Sequence, residues 1–133
     1  MSNLGPDTAI VLVDHGSTHS AANDMLADVA RMLRAQAGGA IVELAHMELA
    51  EPTIEQAFAA CVAQGARTIV VHPYFLAPGR HSTKDIPRMS RDAAAKYPGV
   101  SVSVTEPLGI DPRMIEVILR RVHETIAAEI PTP

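Results

Sequence analysis

The sequence predicts a parallel α/β fold, a four-stranded sheet with helices on both faces. Two observations carry that prediction. Four short runs rich in Val and Ile (Ala9–Val13, Ala40–Ala45, Thr68–His72 and Val100–Thr105) alternate with four stretches of helical pattern. The first and third runs are almost continuously apolar, as strands covered on both faces require. Such βα alternation implies right-handed crossovers between parallel strands.

Each element has its own signature. Met25, Leu26, Val29, Met32 and Leu33 recur at helical spacing after the first run, and Gly38-Gly39 stops that helix. The second helix carries Ile54, Ala57, Phe58, Cys61 and Val62, with Thr53 as N-cap and Gly65 at its end. After Asp85 the pattern is thinner; Pro87 belongs in a first turn, and Tyr97-Pro98-Gly99 closes the segment. The fourth run, Val-Ser-Val-Ser-Val, alternates with period two, which suits an edge strand. Asp111-Pro112 reads as N-cap then first helical residue, before the stripe Ile115, Ile118, Leu119, Val122 and Ile126. One domain is expected over residues 9–130, with disordered tails at Met1–Thr8 and Pro131–Pro133.

Composition narrows the function. Of the 133 residues 47% are hydrophobic, yet there is no Trp, so the core is built from aliphatic side chains. A net charge of −4 lacks the basic footprint of a nucleic-acid binder. The lone Cys61 excludes an internal disulfide or a cysteine-built metal site within one chain, and its helical position makes it a buried thiol. No stretch is long and apolar enough to span a bilayer, and the polar start lacks a signal peptide's pattern. A cytoplasmic setting is the expectation.

The loops that follow the strands share one edge of such a sheet, where parallel α/β folds bind ligands. They contribute Asp14, His15, Gly16, Ser17 and His19, then His46 and Glu48, then Arg80, His81, Lys84 and Asp85. If the first and third strands flank the reversal of strand order, His15 and His81 reach one crevice. Imidazoles and carboxylates gathered there suit divalent iron, cobalt, nickel or zinc. Gly16 lets a ligand approach the backbone, and Pro78-Gly79 aims His81. Arg80 and Lys84 flank His81 and can hold an anion. His19 and His123 read as structural or solvated, His72 as a core or edge group, and His46 is open between roles.

Three blocks of sequence resemble a known family. Asp-His-Gly-Ser followed by Asn23, then Ala-His-Met-Glu-Leu-Ala-Glu-Pro-Thr-Ile, then Pro-Gly-Arg-His-Ser-Thr-Lys-Asp-Ile-Pro together resemble the small sirohydrochlorin chelatases. These class II chelatases insert a divalent metal into a modified tetrapyrrole. The resemblance covers roughly Ala9 to Leu108, and the second block looks closest to members that insert iron. It implies a flavodoxin-like three-layer half-molecule of a two-lobed architecture, paired as a homodimer in chains this short. It assigns His15 and His81 as metal ligands and Glu48 as the site carboxylate, all three taking part in catalysis. Ser17, Arg80 and Lys84 then serve as anchors for the anionic tetrapyrrole. The metal (Fe2+, or Co2+ or Ni2+) is a substrate, and no permanent cofactor is implied. Many members have Arg where this chain has Thr18, which removes one possible anion contact.

Two rivals use similar residues. Histidine phosphatases also place a histidine and Gly at a strand end, but they need an Arg beside it; here Asp14 would repel phosphate. A metal carrier or tetrapyrrole-binding module would use the same donors without turnover. Neither a P-loop nor Gly-x-Gly-x-x-Gly follows any strand, which disfavours a nucleotide site.

Overall fold

A computed structural model describes residues 4–129. Four strands, β1 (Thr8–Asp14), β2 (Ile41–His46), β3 (Thr68–Pro73) and β4 (Ser101–Val104), form one sheet in the order β2-β1-β3-β4, with every pairing parallel. The helices are α1 (Ser20–Gln36), α2 (Ile54–Ala63), α3 (Ile86–Ala94) and α4 (Pro112–Glu129), and a π-helical turn over His81–Asp85 leads into α3. The alternating fourth run is the edge strand that its pattern predicts.

The expected tails differ in extent. Thr8 opens β1, and the Asp7 carbonyl accepts from the Arg67 and Thr68 amides, so the chain joins the sheet earlier than composition indicates. Residues 1–3 and 130–133, which include the C-terminal tail, lie outside the described residues.

Period-two alternation divides each strand between two cores. On one face Ala9, Val11, Val13, Ile69 and Val71 pack with Phe58 and Cys61 of α2 and Ile86 of α3. On the other, Leu12 and Val42 pack with Leu26 and Ala30 of α1. The result is helix, sheet, helix. Capping works as the sequence predicts for α2: Thr53 Oγ1 accepts from the Gln56 amide at 3.1 Å, and the Gln56 side chain accepts from the Thr53 amide at 2.9 Å. This reciprocal box satisfies two donors that the helix leaves unpaired. Cys61 is fully buried; burial, with the Glu43 carboxylate adding to it, pushes its thiol up to about 12. It holds no thiolate at neutral pH and is no nucleophile.

The layers are unequal. Met25 and Met32, expected in the stripe of α1, are 66% and 61% exposed. No residue of α4 is buried, so the fourth apolar stripe does not enter the core of its own chain. Among the described residues no helix is long and apolar enough to cross a membrane.

His72 of β3 is partly buried, and its Nδ1 lies 2.7 Å from the Thr105 hydroxyl. Burial holds its imidazole below the ordinary value. Above about pH 6.5 the ring is neutral in both folded and unfolded chains and adds no pH dependence. Below it, the unfolded chain takes up a proton that the folded chain resists, so stability falls as pH drops toward the lower folded pKa. Urea midpoints measured across this range should fall less steeply for His72→Gln than for the wild type. Parallel curves would show that His72 is not the group responsible.

Candidate active site

Strand order decides where the loops meet. The flavodoxin-like order reverses between β1 and β3, so the loops after these strands part to opposite faces and leave a crevice at their carboxyl ends. His15 follows β1 directly, and His81 opens the π-helical turn after β3. Their rings sit edge to face with centroids 5.0 Å apart. Glu48, from the loop after β2, brings Oε1 to 3.0 Å from His15 Nε2. His15 thus lies beside both His81 and Glu48.

Close backbone approach makes this convergence possible. The Glu48 amide donates to the His15 carbonyl at 3.1 Å, and the Met47 amide to the Asp14 carbonyl at 2.9 Å. Gly16 has φ +93°, and a Cβ there would lie 1.8 Å from the Glu48 carbonyl oxygen. Glycine is therefore required for a second loop to come this near, a reason different from the ligand approach that its position suggested. Asn23 clamps the same loop: its amide group donates to the Ser17 carbonyl at 2.8 Å, and its Oδ1 accepts from the Ser17 amide at 3.0 Å. The Ser17 hydroxyl accepts from the His19 amide at 3.0 Å. Ser17, expected as an anchor for the macrocycle, is thus also committed to shaping the loop.

His81 is aimed by its surroundings. Ser82 is buried, and its Oγ accepts from the Gly79 amide at 2.9 Å while donating to the Gly79 carbonyl at 3.2 Å. On the ring itself, Nδ1 lies 2.9 Å from Asp85 Oδ2. A carboxylate that accepts a hydrogen bond from Nδ1–H orients the imidazole and leaves the Nε2 lone pair free for a metal, the usual arrangement behind a metal-binding histidine. Arg80 and Lys84 are exposed on either side and form no ion pair among the described residues, so both remain available to an anion.

His46 has a resolved place. It is 2% exposed, with Nδ1 2.6 Å from Asp14 Oδ1, beneath the loop that carries His15. Sequence reasoning placed Asp14, His46 and Asp85 in the site loops but gave them no such work. The available signal for Asp85 is its position four residues after His81; the Asp14–His46 pair joins residues 32 apart and needs the β1–β2 register.

His15 and Glu48 are engaged with each other, and among the described residues no three His, Cys, Asp or Glu side chains are already gathered around a metal position. Side chains 44%, 53% and 45% exposed for His15, Glu48 and His81 form an open edge. Such a surface suits an ion that arrives and leaves. A permanently held structural metal would have a closed shell.

The CbiX family model matches residues 9–125. The chain belongs to the CbiX family. This CbiX chain is 43% identical over 126 residues to a chloroplastic sirohydrochlorin ferrochelatase of Arabidopsis thaliana, covering 95% of the chain and 56% of that protein. It is 31% identical over 141 residues to a sirohydrochlorin cobaltochelatase of Methanopyrus kandleri, covering 91% of the chain and 99% of that protein. The sirohydrochlorin chelatase of Bacillus subtilis subspecies spizizenii, solved in complex with cobalt, superposes with a TM-score of 0.83 at 36% identity. That match covers 89% of this chain and 50% of the other. The chain thus spans about half the length of the first curated relatives it matches, and nearly all of the archaeal one. The family expected from the three motifs is the family found.

Proposed function

We propose that this chain inserts a divalent metal, Fe2+ foremost, into sirohydrochlorin. The observation that carries the reading is the His15–His81 pair, 5.0 Å apart at the switch point with Glu48 against His15. Iron is favoured by the relative with 43% identity, a ferrochelatase, over the cobaltochelatase at 31%.

Insertion exchanges one dication for the two pyrrole N–H protons, and both protons must go to a base or to water. The neutral imidazole of His81 can coordinate the ion through Nε2, and that of His15 can do so once its Nε2 parts from the Glu48 carboxylate; each can accept a proton after the ion has passed on. Glu48 offsets the ion's charge while it is desolvated, and Asp85 keeps the His81 ring turned toward the crevice. The macrocycle is a polycarboxylate, which Arg80, Lys84 and the loop at Ser17 are suited to hold. Two copies of the chain pair so that their sheet edges enclose one cleft. The setting is the cytoplasm, where a lone thiol such as Cys61 stays reduced.

The test is an anaerobic assay of purified protein with sirohydrochlorin and Fe2+, Co2+ or Ni2+ in turn, comparing initial rates. Iron should give the fastest shift to the metallated spectrum. A carrier would bind metal or macrocycle and leave the spectrum free-base at the uncatalysed rate.

A further inference from the structure

The net charge of −4 conceals an uneven distribution. Residues 80–91 hold four of the chain's 11 Lys and Arg (Arg80, Lys84, Arg88 and Arg91) and one of its 15 Asp and Glu. That acid, Asp85, is already engaged: one oxygen lies 2.9 Å from His81 Nδ1 and the other 3.8 Å from Arg88. All four cations are exposed, and Arg80, Lys84 and Arg91 form no ion pair among the described residues. Most cations elsewhere have partners. Arg31, Lys96, Arg113 and Arg121 pair with Asp28, Glu55, Asp111 and Glu124, and Arg34 donates to the Val42 carbonyl at 2.7 Å.

Helical geometry makes a stripe of the four. Steps of four, four and three residues along the π-helical turn and α3 return each side chain to one side. At about 1.5 Å per residue the stripe is about 16 Å long. It starts beside His81 at the crevice and ends in the second turn of α3. Asp92, the next acid along α3, lines the cavity shared with α2, beside Glu55 and Lys96. A polycarboxylate must otherwise approach this acidic protein against repulsion. Screening confines each charge to about 8 Å at physiological ionic strength, so local charge decides where a polyanion can come in. The stripe is about twice that long, and its outer end reaches past the range of Arg80 and Lys84.

We infer that Arg88 and Arg91 form an approach surface for the polycarboxylate, guiding it along α3 to Arg80, Lys84 and the histidine pair. Clefts lined by one sign of charge raise the encounter rate of an oppositely charged ligand, and salt abolishes the gain. The work of Arg88 and Arg91 thus lies in association: they lead the macrocycle in, and the residues at the crevice hold it. The inference rests on the proposed function for the identity of the polyanion, but it requires no metal and no turnover.

Stopped-flow fluorescence of free-base sirohydrochlorin mixed with the full chain, without metal, reads association and dissociation separately. At low salt Arg88→Gln/Arg91→Gln should slow association about 5-fold or more and leave dissociation unchanged. Near 1 M salt, where the Debye length is about 3 Å, it should match the wild type. Arg31→Gln/Arg67→Gln removes the same charge from exposed positions outside the stripe and should associate like the wild type. Equal slowing in both double variants overturns the inference, because net charge then sets the rate. So does unchanged association at low salt, or a loss seen in dissociation alone, which would make the arginines anchors. Failure of the chelatase reading looks different: the salt-dependent gap between the double variants persists, and added metal leaves the macrocycle free-base. A wild-type chain that binds no macrocycle overturns both.

Discussion

Replacing both His15 and His81 by Ala should lower the initial rate of metal insertion at least about 100-fold, a typical size for loss of positioned proton-transfer groups. The variant should fold as well as the wild type, because both side chains are nearly half exposed and neither supports a core contact. Surface changes of this kind usually stay within about 0.5 kcal/mol. The single variants carry information as well. His81→Ala leaves the His15–Glu48 pair in place, and His15→Ala leaves the His81–Asp85 pair. If the two rings hold one ion, each single variant should be nearly as damaged as the double, since groups that act as a unit are not additive. Urea unfolding and the anaerobic spectral assay, run side by side, separate chemistry from stability. A double variant that inserts iron at the wild-type rate ends the proposed mechanism.

Gly16→Ala should have the largest structural effect of any single methyl group added to this chain. The new Cβ would sit 1.8 Å from the Glu48 carbonyl oxygen, 3.0 Å from its carbon and 3.1 Å from His46 Cβ. All but the last are backbone atoms, which no rotamer change can move aside. The loops after β1 and β2 must separate, breaking the Glu48-to-His15 and Met47-to-Asp14 backbone bonds and drawing the carboxylate off His15. Gly39→Ala is the control, since it has φ +99° and nothing within 4 Å of the added atom. There the cost is the left-handed backbone alone, about 1–2 kcal/mol. Gly16→Ala should lose clearly more, the same backbone cost plus about 1–3 kcal/mol for the overpacked contact, and insertion activity with it. Equal losses in the two variants would mean that the loops part freely and that Gly16 does not set Glu48.

Much of the site can be read along the chain, and the reason is local. His15-Gly16 and Pro-Gly-Arg-His are short phrases set immediately after strands, and a strand end in a parallel sheet has a defined place. The partners that hold these residues are harder to read. Asp14 with His46, and Gly16 with Glu48, meet only because β1 and β2 pair in one register, a long-range event with no local mark. Asp85 is four residues from His81, yet its contact forms inside a π-helical turn that helical periodicity does not announce. Met25 and Met32 illustrate the converse: spacing places them on the apolar side of α1, while exposure depends on what lies opposite.

By itself, the sequence determined the four strands, four helices, the N-caps of α2 and α4 and the family, because period-two and period-3.6 patterns, turn residues and contiguous motifs are local properties. The order β2-β1-β3-β4, the 5.0 Å approach of His15 to His81 and the Asp14–His46 contact were decided by the tertiary structure. So was the position of α4. Its apolar stripe states that one face is to be buried, but a hydrophobic stripe is non-directional. The linker bonded past the end of β3 carries that face away from the core of its own chain, which no local pattern announces.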